Sequence, residues 1–165
     1  MTRSANEVMV LAGKAARGAG APPAQASEFG RAVVHHICAG RDVRHVSGAL
    51  DALPNGPIMD FPVAFTRVLE TGGPSPRGQV EASAWLPLAQ SYADALPFAA
   101  RVTVIGEVLD IIVDVQQPAA KASLGRLTLP DTLFDKMNAL AARILVPESD
   151  ASRRDGAGAG LTDND

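Results

Sequence analysis

Apolar residues recur at helical spacing through the opening of the chain. Val8, Leu11, Ala12 and Ala15 share one helix face. Ser4-Ala5-Asn6-Glu7 ahead of them has the form of a capping box. The Ser4 hydroxyl accepts from the Glu7 N–H, and the Glu7 side chain reaches back to the backbone. Gly18 stops this helix. Pro22 and Pro23 suit the first turn of a second one, whose N–H groups lack intrahelical partners in any case. Phe29, Val33 and Ile37 form its apolar stripe, and Gly40 ends it. Two stripes joined by a short Gly-rich joint predict an antiparallel helical hairpin, packed through Leu11, Ala15, Phe29, Val33 and Ile37.

The pattern then changes. Val46 to Leu53 predicts a short helix, stopped by the turn signal Pro54-Asn55-Gly56-Pro57. Phe61 to Leu69 again has helical spacing, and Thr71-Gly72-Gly73-Pro74-Ser75-Pro76 is a loop. Val80 to Leu86 predicts a strand and Leu88 to Leu96 a helix. Val102 to Val104 and Leu109 to Val115 are β-rich, with Gly106-Glu107 as their turn. Ser123 to Leu129 predicts another strand. Pro130-Asp131 opens a last helix through Phe134, Met137, Leu140, Ala141 and Ile144, ending before Pro147. The expected fold class is α+β: an N-terminal helical hairpin, a small, mainly antiparallel sheet, a C-terminal helix and a Gly-rich tail. One domain is expected over residues 1–150, with residues 151–165 as the tail.

Composition sharpens this picture. Much of the apolar content is alanine, and aromatic residues make up only 4% of the chain, so tight packing of small side chains around a few large anchors is implied. A net charge of −3 argues against a general nucleic-acid binder. The charge is uneven: residues 1–45 hold six Lys/Arg against three Asp/Glu, and the remainder nine against fifteen. The single cysteine, Cys38, excludes an internal disulfide and fits a reducing compartment. No apolar signal core opens the chain, and no run approaches the roughly 18 residues of a membrane span. A cytoplasmic protein that binds neither nucleic acid nor membrane is the expectation.

His35, His36, Cys38 and His45 cluster in sequence, and such side chains are zinc ligands. His35 and Cys38 fall about 60° apart, opposite the apolar stripe, while His36 points back toward it. The spacing fits no standard zinc pattern and lacks a fourth ligand, so no metal and no cofactor are expected. The joint Gly18-Ala19-Gly20-Ala21-Pro22-Pro23 has a superficial phosphate-loop look, but it follows a helix and its prolines remove donors. Lys14 and Arg17, with Arg41 and Arg44, offer cations for a small carboxylate or phosphate, and Lys14 and Arg17 also suit a helix C-terminus. Asp110 and Asp114 share a strand face roughly 13 Å apart, too far for one ion, and read as solvent-face charges. Ser47, Ser83 and Ser91 sit in no nucleophile motif, and Cys38 among small neighbours reads as an inert thiol.

The two ends resemble a known family. Asn6-Glu7, Leu11, then Lys14-Ala15-Ala16-Arg17-Gly18-Ala19-Gly20 is similar to the opening of the bacterial family called domain of unknown function 3726. The run from Val146-Pro147-Glu148 through Ser152-Arg153-Arg154 to Gly156-Ala157-Gly158-Ala159-Gly160 resembles that family's C-terminus. The resemblance implies a small bacterial protein with no activity to carry over. It also implies an aromatic or aliphatic pair at His35-His36, a further point against a metal. Arg44-His45-x-Ser47-Gly48 is similar to the opening of the malate/L-lactate dehydrogenase-like family, but the chain has no cofactor-binding core of that kind. Two functions are expected. The first is an accessory or small-anion-binding protein associated with a metabolic enzyme, its site being Lys14, Arg17, Gly18, Gly20, Arg153 and Arg154. The second is a small metabolic enzyme acting on an anionic substrate, with Glu7, Glu81, Asp163 or Asp165 as acid or base. The Gly-rich tail is expected either to fray in solvent or to dock Ser152-Arg153 near Arg17-Gly18, so that Arg17 and Arg153 reach one anion.

Overall fold

The computed structural model describes residues 2–120 and 124–144. The elements run β1 (Thr2–Ser4), α1 (Ala5–Gly18), α2 (Pro23–Cys38), α3 (Arg44–Asp51), α4 (Pro57–Glu70), β2 (Arg77–Val80), α5 (Leu86–Asp94), β3 (Phe98–Ile105), β4 (Val108–Pro118), β5 (Arg126–Thr128) and α6 (Asp131–Ala141). Short 3-10 turns lie at Ser83–Trp85 and Ala142–Ile144. The fold is α+β, as the pattern predicts. Strands β2, β4 and β3 form an antiparallel sheet with β4 in the centre, and β1 pairs with β5 in a separate antiparallel ribbon.

The helical hairpin is present, and its first cap is the predicted box. Glu7 N–H donates to Ser4 Oγ at 3.2 Å, and Ser4 N–H donates to the Glu7 carboxylate at 2.7 Å. The Ser4 N–H bond and a second one from Ser4 Oγ, at 2.8 Å, hold the Glu7 carboxyl below its usual range. Helix α1 packs on α2 and α6, α2 packs on α5 and α4, and α4 and α5 pack on the sheet. Alanine and glycine set the spacing. Ala12, Ala15, Ala16, Ala26 and Ala32 are buried between helices. A Cβ on Gly30 would sit 2.5 Å from the Met9 carbonyl oxygen, and one on Gly18 would sit 1.8 Å from that of Leu140. Backbones therefore touch where α1 crosses α2 and α6. Phe29, Phe61, Phe65 and Tyr92 fill the deeper space, with Tyr92 edge-on to Phe61 at 5.5 Å and stacked on Phe65 at 6.3 Å.

Three local expectations are corrected, and one strand has no signal in the pattern. The strand expected over Val80 to Leu86 is absent. Only Val80 belongs to β2, and Pro87 sits in the first turn of α5, where its missing N–H costs no helix bond. Helix α4 starts at Pro57, earlier than its apolar spacing shows, because Gly56 at φ 82° turns the chain into a helix with proline in its first turn. Thr2–Ser4 is a strand, paired with residues far along the chain and anchored by Arg3 over the Phe134 ring at 4.8 Å. Asp110 is not a solvent-face charge. It is 2% exposed on the central strand, where it accepts from Arg77 Nε at 2.8 Å and Gln79 Nε2 at 3.4 Å. Those bonds hold its carboxyl below the usual range. The β3–β4 hairpin turns at Gly106, φ 63°, as a two-residue loop with glycine first requires.

Candidate functional site

The C-terminus of α2 is capped by Gly40 at φ 65°, and the chain then turns so that Arg41 faces α5. Arg41 Nη2 donates to Asp94 Oδ2 at 2.7 Å, and Arg41 Nη1 donates to Ser91 Oγ at 3.1 Å. His36, fully buried on α2, lies against the same serine: its Nδ1 is 2.8 Å from Ser91 Oγ, and its Nε2 is 2.9 Å from the Asp42 carbonyl. A carbonyl only accepts, so Nε2 carries the proton. Burial lowers the His36 pKa, with the Arg41 charge adding to the effect, and the ring is neutral. Ser91 then donates to Nδ1. The Pro87 carbonyl, 2.8 Å from Ser91 Oγ, is the alternative acceptor for the same proton. This network ties the ends of α2 and α5 together.

Beside it lies a cavity of about 460 Å³. Its polar lining is His35 and Cys38 from the last turn of α2 and Asp94 from the end of α5. The rest of the wall is Phe98 and six alanines from the helix ends, the start of β3 and the segment after β4. Burial lowers the His35 pKa, with Asp94 opposing and Arg41 adding to that effect, so the imidazole facing the cavity is neutral near pH 7. Cys38 is exposed, and among the described residues no hydrogen bond joins its thiol to His35. Two helices end here, and their C-termini bring negative partial charge to a space already holding the Asp94 carboxylate. With Asp94 already paired with Arg41, the cavity favours groups that donate hydrogen bonds.

The residues expected to bind an anion fall elsewhere. Lys14 and Arg17 are exposed on α1 and form no ion pair among the described residues. Gly18 is occupied sterically: the close approach it permits is made by the Leu140 carbonyl of α6. Gly20 has φ 106° with open space around its Cα. Arg153 and Arg154, Ser152 and the acids Asp163 and Asp165 lie outside the described residues. Arg41 and Arg44 are committed to carboxylates, Arg44 to Asp42 at 2.5 Å, and Asp42 is held down to about 2 chiefly by its hydrogen bonds from Arg44. His36 cannot ligate a metal with both nitrogens engaged, and among the described residues no cluster of three or more His, Cys, Asp or Glu could hold a metal ion. Ser47 accepts from Lys136 Nζ at 2.7 Å, which joins α3 to α6. Sequence reasoning missed Asp94 altogether. Its only local signal is its place at a helix end, and its partners are distant in sequence.

No helix among the described residues is long and apolar enough to cross a membrane. No family model matches the chain, and neither curated proteins nor solved structures include a significant match. The likeness to the family of unknown function therefore rests on the residues at the two ends alone.

Proposed function

We propose that this protein binds a small donor-bearing molecule in the cavity between the ends of α2 and α5, without transforming it, as an accessory protein to a metabolic enzyme. The observation that carries the reading is the convergence of His35, Cys38 and Asp94 on one cavity whose other walls are alanine and Phe98. A volume of about 460 Å³ lies in the range of small-molecule sites. Neutral His35 offers a donor or an acceptor, and Asp94, already oriented by Arg41, accepts from an ammonium, amide or hydroxyl group. The alanines leave room for a short aliphatic body.

The anion expected from Lys14 and Arg17 is a second reading. It is favoured by two exposed cations three residues apart on one helix, beside the open backbone at Gly20. The enzyme alternative is favoured by one observation, a thiol and a neutral imidazole opening onto the same cavity. There Cys38 would be the nucleophile and His35 its base.

Titration of isotope-labelled protein with ethanolamine, acetamide and phosphate, followed by amide NMR shifts, separates these readings. Saturable shifts at Cys38, Asp94, Ala99 and Ala119 with ethanolamine or acetamide, lost in Asp94→Asn, support the cavity. Shifts confined to residues 14–20 with phosphate support the anion reading and count against the cavity.

A further inference from the structure

A second feature of α5 lies on its other side. Tyr92 is 4% exposed, and its hydroxyl is buried with no hydrogen-bond partner among the described residues. Buried hydroxyls are almost always paired, so an orphan one marks a place where a partner is missing. The ring itself is fixed by Phe61 and Phe65, which leaves the hydroxyl little freedom to search for another acceptor.

Tyr92 lines a groove of about 510 Å³ between α2, α4 and the end of α5. The groove is apolar at Pro62, Val63, Phe65, Leu69 and Leu96. Val63 is 41% exposed. Glu28 on α2 lines the same groove as Tyr92. Glu28 is itself held by Arg31, while Arg67 and Glu70 bring one charge of each sign to the opposite wall. The lining is therefore close to charge-balanced, and neither a strong anion nor a strong cation is selected.

We propose that this groove is a second binding site, for a small, uncharged and largely apolar molecule that presents a hydrogen-bond acceptor to the Tyr92 hydroxyl. The apolar body lies along Val63, Leu69 and Leu96, and a carbonyl or similar oxygen reaches the phenol at the deep end. The arrangement is independent of the cavity at His35, Cys38 and Asp94, which no groove residue lines.

The test uses two probes of one shape, acetophenone with its carbonyl and ethylbenzene without it, titrated separately into full-length labelled protein. Acetophenone is expected to give saturable amide shifts at Glu28, Thr66 and Leu96, with an affinity at least fivefold above that of ethylbenzene. Tyr92→Phe keeps the ring on Phe61 and Phe65 and removes only the acceptor's partner. It is expected to bring the two probes to equal affinity, and a shift map otherwise like that of the wild type confirms its fold. Equal affinities on wild-type protein would overturn the proposal, because water alone then satisfies the hydroxyl. So would the absence of saturable shifts at those amides, or a carbonyl preference that survives in Tyr92→Phe. Should the variant not fold, the ratio on wild-type protein still decides.

Discussion

Replacing Gly30 with alanine tests the helix crossing at the heart of the fold. On propensity alone, alanine within a helix gains about 1 kcal/mol over glycine. The structure opposes this. A Cβ at position 30 would lie 2.5 Å from the Met9 carbonyl oxygen and 3.4 Å from the Gly13 nitrogen. Both are backbone atoms of α1, so no side-chain rotation relieves the overlap. Restoring an ordinary C···O contact of about 3.3 Å requires α1 and α2 to separate by roughly 0.8 Å. A gap of that order forfeits about a quarter to a half of each dispersion contact across the interface, where Val8, Ala12, Ala26, Phe29 and Val33 meet. Overpacking costs about 1–3 kcal/mol; a clash of backbone on backbone belongs at the upper end, about 3 kcal/mol, and subtracting the propensity gain of about 1 kcal/mol leaves a net loss near 2 kcal/mol for Gly30→Ala, lowering Tm by roughly 4–8 °C. Gly48→Ala is the control. There a Cβ would meet only the Trp85 ring at 3.4 Å, an ordinary contact, and the helix gain survives. One chemical change thus has opposite signs at two helical sites. Urea unfolding of both variants measures it, and a Gly30→Ala protein as stable as the wild type would refute the close-packed crossing.

Two further outcomes follow from the same core. Burial lowers the pKa of both His35 and His36, so as pH falls through 6.5 the unfolded chain takes up protons before the native state does. Stability is then full above that pH and declines below it, by up to about 1.4 kcal/mol per pH unit for the fully buried His36 and by less for the part-exposed His35. Urea unfolding between pH 7.5 and 5.5 should show the decline, and His36→Asn should flatten it; stability that rises on acidification would contradict the neutral ring. Val33 is fully buried between helices, so Val33→Asp puts an unpaired charge in the core and should abolish cooperative unfolding; a native-like melting curve would place Val33 elsewhere.

The parts legible in the sequence are those whose determinants are local. The Ser4–Glu7 cap, the hairpin, the Gly106 turn and the last helix each follow from neighbouring residues. The alanine-rich composition likewise announced closely spaced helices, although not that Gly18 and Gly30 would be the points of backbone contact. What escaped depends on distant partners. Thr2–Ser4 becomes a strand only because Arg126–Thr128 lies beside it. Asp110 is buried only because β2 brings Arg77 and Gln79 across. His35 and Cys38 were visible as a cluster, but the group that completes their cavity, Asp94, arrives on another helix. Tyr92 is a core anchor, packed against Phe61 and Phe65. That its hydroxyl is left without a partner is a property of the packed structure and has no local signature.

The central claim is that the cavity at His35, Cys38 and Asp94 holds a small molecule. Ala99→Leu fills it from the sheet side, at a part-exposed residue that is not itself in the buried core. Wild-type and variant proteins dialysed to equilibrium against the same cell extract, then heat-denatured, can be compared for released small molecules by mass spectrometry. The account predicts at least one donor-bearing compound enriched on the wild type, absent from Ala99→Leu and diminished in Asp94→Asn. Identical release profiles from all three proteins would contradict it.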